Sequence, residues 1–414
     1  MALLVLKPGR EHRVRAGHPW IYRGEIADLR GHVAPGEAVE ILDAGRRFLG
    51  RGFYNPRPSL ACRLLTRERG EAVDAALFRR RLAGALDYRR RAGLAGDAYR
   101  LCWSEADGLP GLVIDRYGPL SVVQCLTLGM ARAADWVAAA LRELFPDGAA
   151  YRLDDPTAAR IEGFDPHQGS FPSPVHHPVP PGRVVGEGQG EGPGAAGPLA
   201  PLLITEGRCR LLVAVTAGHK TGLYLDQREN RLLVADHAAG RRVLDAFAYT
   251  GAFACQALAA GAAHALLVES SAEALALAGE NLAQNGLATR AELRRGNAFD
   301  VLRELESAGE RFGLVILDPP PFTRRKDALE AALRGYKEIN LRALGLLEPG
   351  GILATFSCSH HVSPALFESV VRDAAGDARV PTRLLATLGQ SRDHPVLLAV
   401  PETRYLTGLL LQAL

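Results

Sequence analysis

Residues 241–258, RRVLDAFAYTGAFACQAL, decide the fold. An apolar run ending at Asp245 passes through a turn holding Gly251 into an Ala-rich segment of helical period. A buried strand feeding a helix this way opens a parallel α/β sheet. Working outward, the unit repeats. HALLVES (264–270), AELRRGN (291–297), FGLVILDPP (312–320) and GGILATFSC (350–358) read as further strands. SAEALALAGENLAQNG (271–286) and RGYKEINLRALGLLEPG (334–350) read as helices between them. The expected fold class is α/β. In such a sheet the ligand crevice lies beyond the carboxyl ends of the strands, so the informative residues are the last of each strand and the turns after them.

The first strand ends at Asp245, and its turn keeps only Gly251 of a dinucleotide fingerprint, so it is not built to lay a pyrophosphate on a helix N-terminus. A cofactor without phosphates fits better. Glu269, ending the second strand, can accept both ribose hydroxyls, a geometry shared by NAD and S-adenosylmethionine. Asn297 follows the third strand, where an amide can bond an adenine edge. An acidic or amide residue at a strand end serves equally as a helix N-cap, so the series carries more weight than any member. The fourth strand ends in LDPPPF (317–322). Its consecutive prolines donate no N–H, which leaves Asp318 and the following carbonyls as a rigid rim of acceptors for a flat base, with Phe322 placed to stack on it. The alternative is a proline-stiffened loop over a core Phe.

The fifth strand delivers Cys358 within FSCSHHVS (356–363). A lone cysteine is ordinarily an inert core residue. Carbon 5 of cytosine, however, becomes nucleophilic only after something adds to carbon 6, and a thiolate suits that addition. A thiol at a strand end beside the acceptor rim stands where such an attack is needed.

The rest of the chain fits a soluble, multi-domain reading. It has 414 residues, 47% hydrophobic and 23% charged, with a net charge of +3, which neither demands nor excludes a nucleic-acid partner. Arginines crowd LFRRRLAGALDYRRRAG (77–93) and FTRRKDALEAALRGYK (322–337), either as phosphate contacts or as solvated helix faces. Six scattered cysteines without a Cys-x-x-Cys pair indicate neither disulfides nor zinc. No metal site is expected. MALLVLKPGR is too short for a secretory signal, and no run approaches the roughly 18 apolar residues of a membrane span, so a cytoplasmic location is expected. Residues 1–70 alternate short apolar runs with Gly and Pro and suggest a small β-barrel. Residues 71–200 read as an α+β region containing a hairpin of GLPGLVIDRYG and LSVVQCLTL and a helix near 131–145. It ends in an insertion, 166–200, too rich in Pro and Gly to bury a core. Residues 201–414 form the α/β domain.

Taken in order, HPWIYRGEI (18–26), WSEADGLPGLVIDRYG (103–118), GHKTGLYLDQRENR (218–231), LDAFAYTGAFA, LDPPPF, RGYKEIN, FSCS and DHPV resemble a known family. It is the bacterial S-adenosylmethionine-dependent methyltransferases that form 5-methylcytosine in large-subunit (23S) ribosomal RNA and carry an N-terminal PUA domain. The resemblance implies a Rossmann-like class I methyltransferase domain at 201–414, a PUA-like RNA-binding domain at 1–70 and a central α+β domain at 71–200. It further implies S-adenosylmethionine as cofactor and ribosomal RNA, naked or in an assembling subunit, as partner. Cys358 is then the nucleophile, with Asp318 beside it. The implied cofactor residues are Tyr224, Asp226, Gln227, Arg228, Asp245, Phe247, Tyr249, Thr250, Gly251, Glu269, Ser270, Asn297, Ala298, Asp318 and Pro319. Lys220, Pro320, Phe322 and Lys326 are the implied substrate contacts, and RYLTGLLLQAL (404–414) is the expected antiparallel last strand. The long insertion departs from the family. A second cysteine, which many RNA cytosine-5 methyltransferases carry after the fourth strand, is replaced by Pro320 and Pro321, as in the resembled class. The base that takes the carbon 5 proton is thereby unassigned. A guanine or adenine N-methyltransferase and a non-catalytic ribosome-assembly factor are the rival readings, and a homodimer is left open.

Overall fold

A computed structural model describes residues 1–94, 96–171, 199–215, 222–323, 328–359 and 361–414. The Pro/Gly-rich insertion lies, over 172–198, outside the described residues, as do Lys220 and Lys326. The chain divides into two compact units.

The first unit holds two sheets. Six strands run in the order Trp20–Tyr22, Leu60–Thr66, Phe48–Tyr54, Ala38–Leu42, Leu3–Leu6, Ile26–Arg30. The two strands at the ends of that ladder are neighbours in the chain, joined only by the turn Arg23–Glu25, so the sheet must curl back on itself. Leu4, Leu6, Ile21, Ile41 and Leu64 fill its interior. The second sheet has five strands in the order Gln168–Ser170, Ala149–Leu153, Leu120–Cys125, Leu112–Tyr117, Ala98–Trp103. Its central pair is the expected hairpin, with Leu112 opposite Cys125 and Tyr117 opposite Leu120. Helices Ala75–Arg91 and Ala134–Leu144 supply apolar side chains to its core. Arginines along the first of these helices follow the solvated-face reading in part, and one fits neither reading. Arg79, Arg80 and Arg91 pair with surface acids, while Arg89 is buried and fastened to Asp107.

The second unit is organised around seven strands: β1 (Arg242–Ala246), β2 (His264–Glu269), β3 (Ala291–Arg295), β4 (Phe312–Leu317), β5 (Leu347–Ser357), β6 (Thr382–Gly389) and β7 (Thr407–Ala413). They lie in the order β3-β2-β1-β4-β5-β7-β6, with β1 to β5 parallel and β7 antiparallel to both neighbours. Helices α1 (Ala252–Ala259), α2 (Ala272–Gln284), α3 (Ala298–Ser307), α4 (Leu329–Gly345) and α5 (Pro364–Ala378) connect them. The fold is thus α/β and Rossmann-like. β4 is buried along its whole length, as a central parallel strand covered on both faces must be. Strand order reverses between β1 and β4, and a ligand crevice belongs at that switch point.

The expected antiparallel strand forms as β7 but is not the edge. Gly408 lets it lie against β5, because a Cβ there would stand 2.4 Å from the Phe356 ring. The edge is β6, which the sequence reading did not identify. A second adjustment concerns Arg392–Thr403: sequence order puts it in the α/β domain, whereas it clusters with the first unit.

Candidate active site

The turn after β1 is conformationally strained. Phe247 and Tyr249 have φ of 66° and 50°, left-handed values that cost non-glycine residues energy and gather at functional sites. Gly251 follows with φ of 74°, and a Cβ there would come within 2.9 Å of Leu267. Two carboxylates hold this turn. Asp245 Oδ2 accepts the Ala254 N–H at 3.0 Å and so occupies an orphan donor of α1. Its Oδ1 is buried with no hydrogen-bond partner among the described residues. Burial pushes the Asp245 carboxyl up to about 8; the Ala254 amide opposes this, and Asp318 and Glu269 add to it. Glu269 accepts the amides of Tyr249 at 2.8 Å, Ser270 at 2.7 Å and Ser271 at 2.9 Å. The N-cap of α2 is Ser271, so Glu269 serves the turn instead. Thr250 gives its carbonyl to Asn281 Nδ2 at 2.9 Å. Asn297 is different: its side chain caps α3 by accepting from Phe299 N–H at 2.9 Å, with buried Ala298 beside it.

Residues 224–231 add a second layer. The Tyr224 and Tyr249 rings meet edge to face at 5.2 Å. Burial raises the Tyr224 phenol well above its usual range, and Tyr249, Asp318, Cys358 and Asp226 add to that rise. Gln227 donates Nε2 to Asp318 Oδ1 at 2.9 Å, and its Oε1 accepts from Asn230 Nδ2 at 2.6 Å. Asn230 Nδ2 also donates to the Gly389 carbonyl at 2.8 Å, which only a donor can do; this fixes both amide orientations and aims an N–H at Asp318. Tyr405 donates to Asp226 Oδ2 at 2.5 Å, and buried Arg231 clamps Glu206 through two bonds of 2.6 Å. Arg228 is buried at the start of helix Arg228–Ala235.

The acceptor rim and the thiol come together. Cys358 Sγ lies 3.8 Å from the Pro319 carbonyl, and Pro320 is exposed beside it. Five of the six cysteines are buried, and Cys358 alone is intermediate. Phe322 packs against Tyr336 at 4.5 Å and Phe299 at 5.5 Å, the geometry of the core alternative. Asn230, Tyr336, Ser359 and Tyr405 went unread in the sequence. RGYKEIN and FSCS were both noticed, but neither spacing shows that Tyr336 meets Ser359.

A buried, unpartnered carboxylate oxygen, an acid-held turn without a phosphate loop and two aromatic rings fit a nucleoside carrying a cationic tail. The fold and these strand ends define the class of S-adenosylmethionine-dependent methyltransferases. Residues 194–384 match the S-adenosylmethionine-dependent methyltransferase family, and residues 4–67 match a PUA-like domain. More particularly, the chain belongs to the ribosomal RNA large subunit methyltransferase I family. It is 41% identical to the Klebsiella pneumoniae (strain 342) member over 98% of this chain and 96% of that one. The Cronobacter sakazakii member is 38% identical over 98% of both chains. A solved SAM-dependent methyltransferase from Streptococcus mutans shares the fold, with a TM-score of 0.78 and 20% identity over the whole of both chains. Another solved methyltransferase, complexed with SAH, aligns with a TM-score of 0.80 at 20% identity, again over both chains entire.

Proposed function

We propose that this chain methylates carbon 5 of a cytosine in large-subunit ribosomal RNA, in the cytoplasm, through a covalent adduct with Cys358. The single observation that carries the reading is the partly exposed thiol of Cys358 beside the Pro319 carbonyl, set against five buried ones. The names of the relatives support the RNA substrate. Residues 1–70 and 71–200 would grip structured RNA while one cytosine leaves its stack, at a cost of about a few kcal/mol that the pocket offsets. Pro320 and the rim carbonyls would receive its amino edge, with Phe322 backing the rim, and Lys220 and Lys326 are proposed as further substrate contacts.

Cofactor binding falls to Tyr224, Asp226, Gln227, Arg228, Asp245, Phe247, Tyr249, Thr250, Gly251, Glu269, Ser270, Asn297, Ala298, Asp318 and Pro319. When bound, S-adenosylmethionine supplies an electrophilic methyl group on a sulfonium. Cys358 attacks as the thiolate: its sulfur bonds carbon 6, and the carbon 5–carbon 6 π pair moves to give an enamine nucleophilic at carbon 5. Asp318, held through Oδ1 by Gln227, stands to donate at N3 and so favours the addition. Carbon 5 takes the methyl group. N3 returns its proton to Asp318, carbon 5 gives up its hydrogen as a proton to water, and the electron pair left behind restores the carbon 5–carbon 6 double bond as the carbon 6–sulfur bond breaks to return the thiolate.

Replacing Cys358 with Ala should abolish 5-methylcytosine formation in purified ribosomal RNA while leaving S-adenosylmethionine binding within about twofold, by nucleoside mass spectrometry and calorimetry. Retained turnover in the variant, or an N-methylated guanine or adenine product, would refute the assignment.

A further inference from the structure

Tyr336 is wholly buried on α4 and takes no part in the chemistry described above. Its hydroxyl lies 2.9 Å from Ser359 Oγ. Ser359 in turn donates its backbone N–H to Ser357 Oγ at 3.4 Å. These two serines bracket Cys358. β5 ends at Ser357, so Cys358 is the first residue beyond the strand. The phenol holds the chain at Ser359, two residues past the strand's end. The same ring packs at 4.5 Å against Phe322, the last residue of the proline rim, and at 5.5 Å against Phe367 of α5. One rigid side chain thus touches both segments that bring reacting groups together, while the thiol and Pro319 carbonyl stand 3.8 Å apart between them.

We propose that Tyr336 is the positioning residue of the site: through Ser359, which is tied to Ser357 across the thiol's residue, it fixes the direction of the Cys358 thiol relative to the base held on the proline rim. This rests on the cytosine-5 reading. The hydroxyl, not the ring, carries the role, because the ring packs equally well without it. Nucleophilic addition is sensitive to misplacement on the ångström scale, so loss of the hydroxyl acts on the rate with little effect on binding.

The test is Tyr336→Phe in the full-length protein, with Ser359→Ala as a second variant that disturbs no ring. For both we expect kcat for 5-methylcytosine formation to fall by about 10- to 100-fold. KM for ribosomal RNA, calorimetric affinity for S-adenosylmethionine and melting temperature should stay near wild type. Wild-type kcat in Tyr336→Phe overturns the proposal, whatever Ser359→Ala shows. So does a loss confined to KM, or a fall in kcat that merely tracks a lowered melting temperature, since either marks a general structural part. If the wild-type protein forms no 5-methylcytosine in the same assay, the underlying reading fails. If it does, and Tyr336→Phe matches it, only the positioning role fails.

Discussion

Five thiols of this chain are sealed in its cores, where burial pushes those of Cys62, Cys125 and Cys209 up to about 12 and keeps them protonated at neutral pH. Cys358 is the exception in exposure. That contrast is visible only in three dimensions, although the residue's place at a strand end was legible from the alternation of strands and helices. Asp245 shows the converse. Its position was legible, but its state was not, because burial and an unpartnered oxygen are tertiary facts. With its carboxyl raised from 3.8 to about 8, the folded protein binds a proton that the unfolded chain has released. The stability Asp245 contributes is therefore fully present below about pH 3.8 and is lost as pH rises through about 8. Thermal melts of the cofactor-free protein should fall in midpoint across that window, and Asp245→Asn, which can still accept from Ala254, should flatten the slope. An unchanged slope would mean that Asp245 is ionised in the fold.

At the scale of elements, the turn between β1 and α1 depends on one glycine. Gly251→Ala places a methyl group 2.9 Å from Leu267 and 3.0 Å from Ala278 in a left-handed residue. A loss of about 2 kcal/mol in denaturant-unfolding free energy is expected, with weakened S-adenosylmethionine binding. Wild-type stability would show that the turn relaxes at no cost. β1, β2, β4 and β5 were legible because each is an apolar run bounded by turn residues, and β3, the charged AELRR, from its place in the strand–helix alternation. β6 was not, since TRLLATLG exposes Leu384 and Leu385 and has neither clean alternation nor a continuous buried run. An edge strand against a buried partner needs neither. The side-chain relay from Asn230 through Gln227 to Asp318 was half legible: DQRENR drew attention by resemblance, but that its amides orient an acid 91 residues away along the chain is a product of folding.

For the whole molecule, the PUA-like and methyltransferase regions followed from motifs that resemble the family, and residues 4–67 and 194–384 match those two families. The assignment of Arg392–Thr403 to the first unit could not be read, because nothing in local sequence says which core a late segment joins. On the proposed function the parts serve one chemical demand: structured RNA must deliver one cytosine to the Cys358 sulfur. The most direct measurement is covalent trapping on ribosomal RNA carrying 5-fluorocytosine. Fluorine in place of the carbon 5 hydrogen leaves no proton to lose after methyl transfer, so elimination stops and the sulfur–carbon 6 bond persists. The account predicts a denaturation-resistant protein–RNA complex that mass spectrometry maps to Cys358. Absence of that complex, under conditions where the same protein methylates unsubstituted RNA, would contradict it.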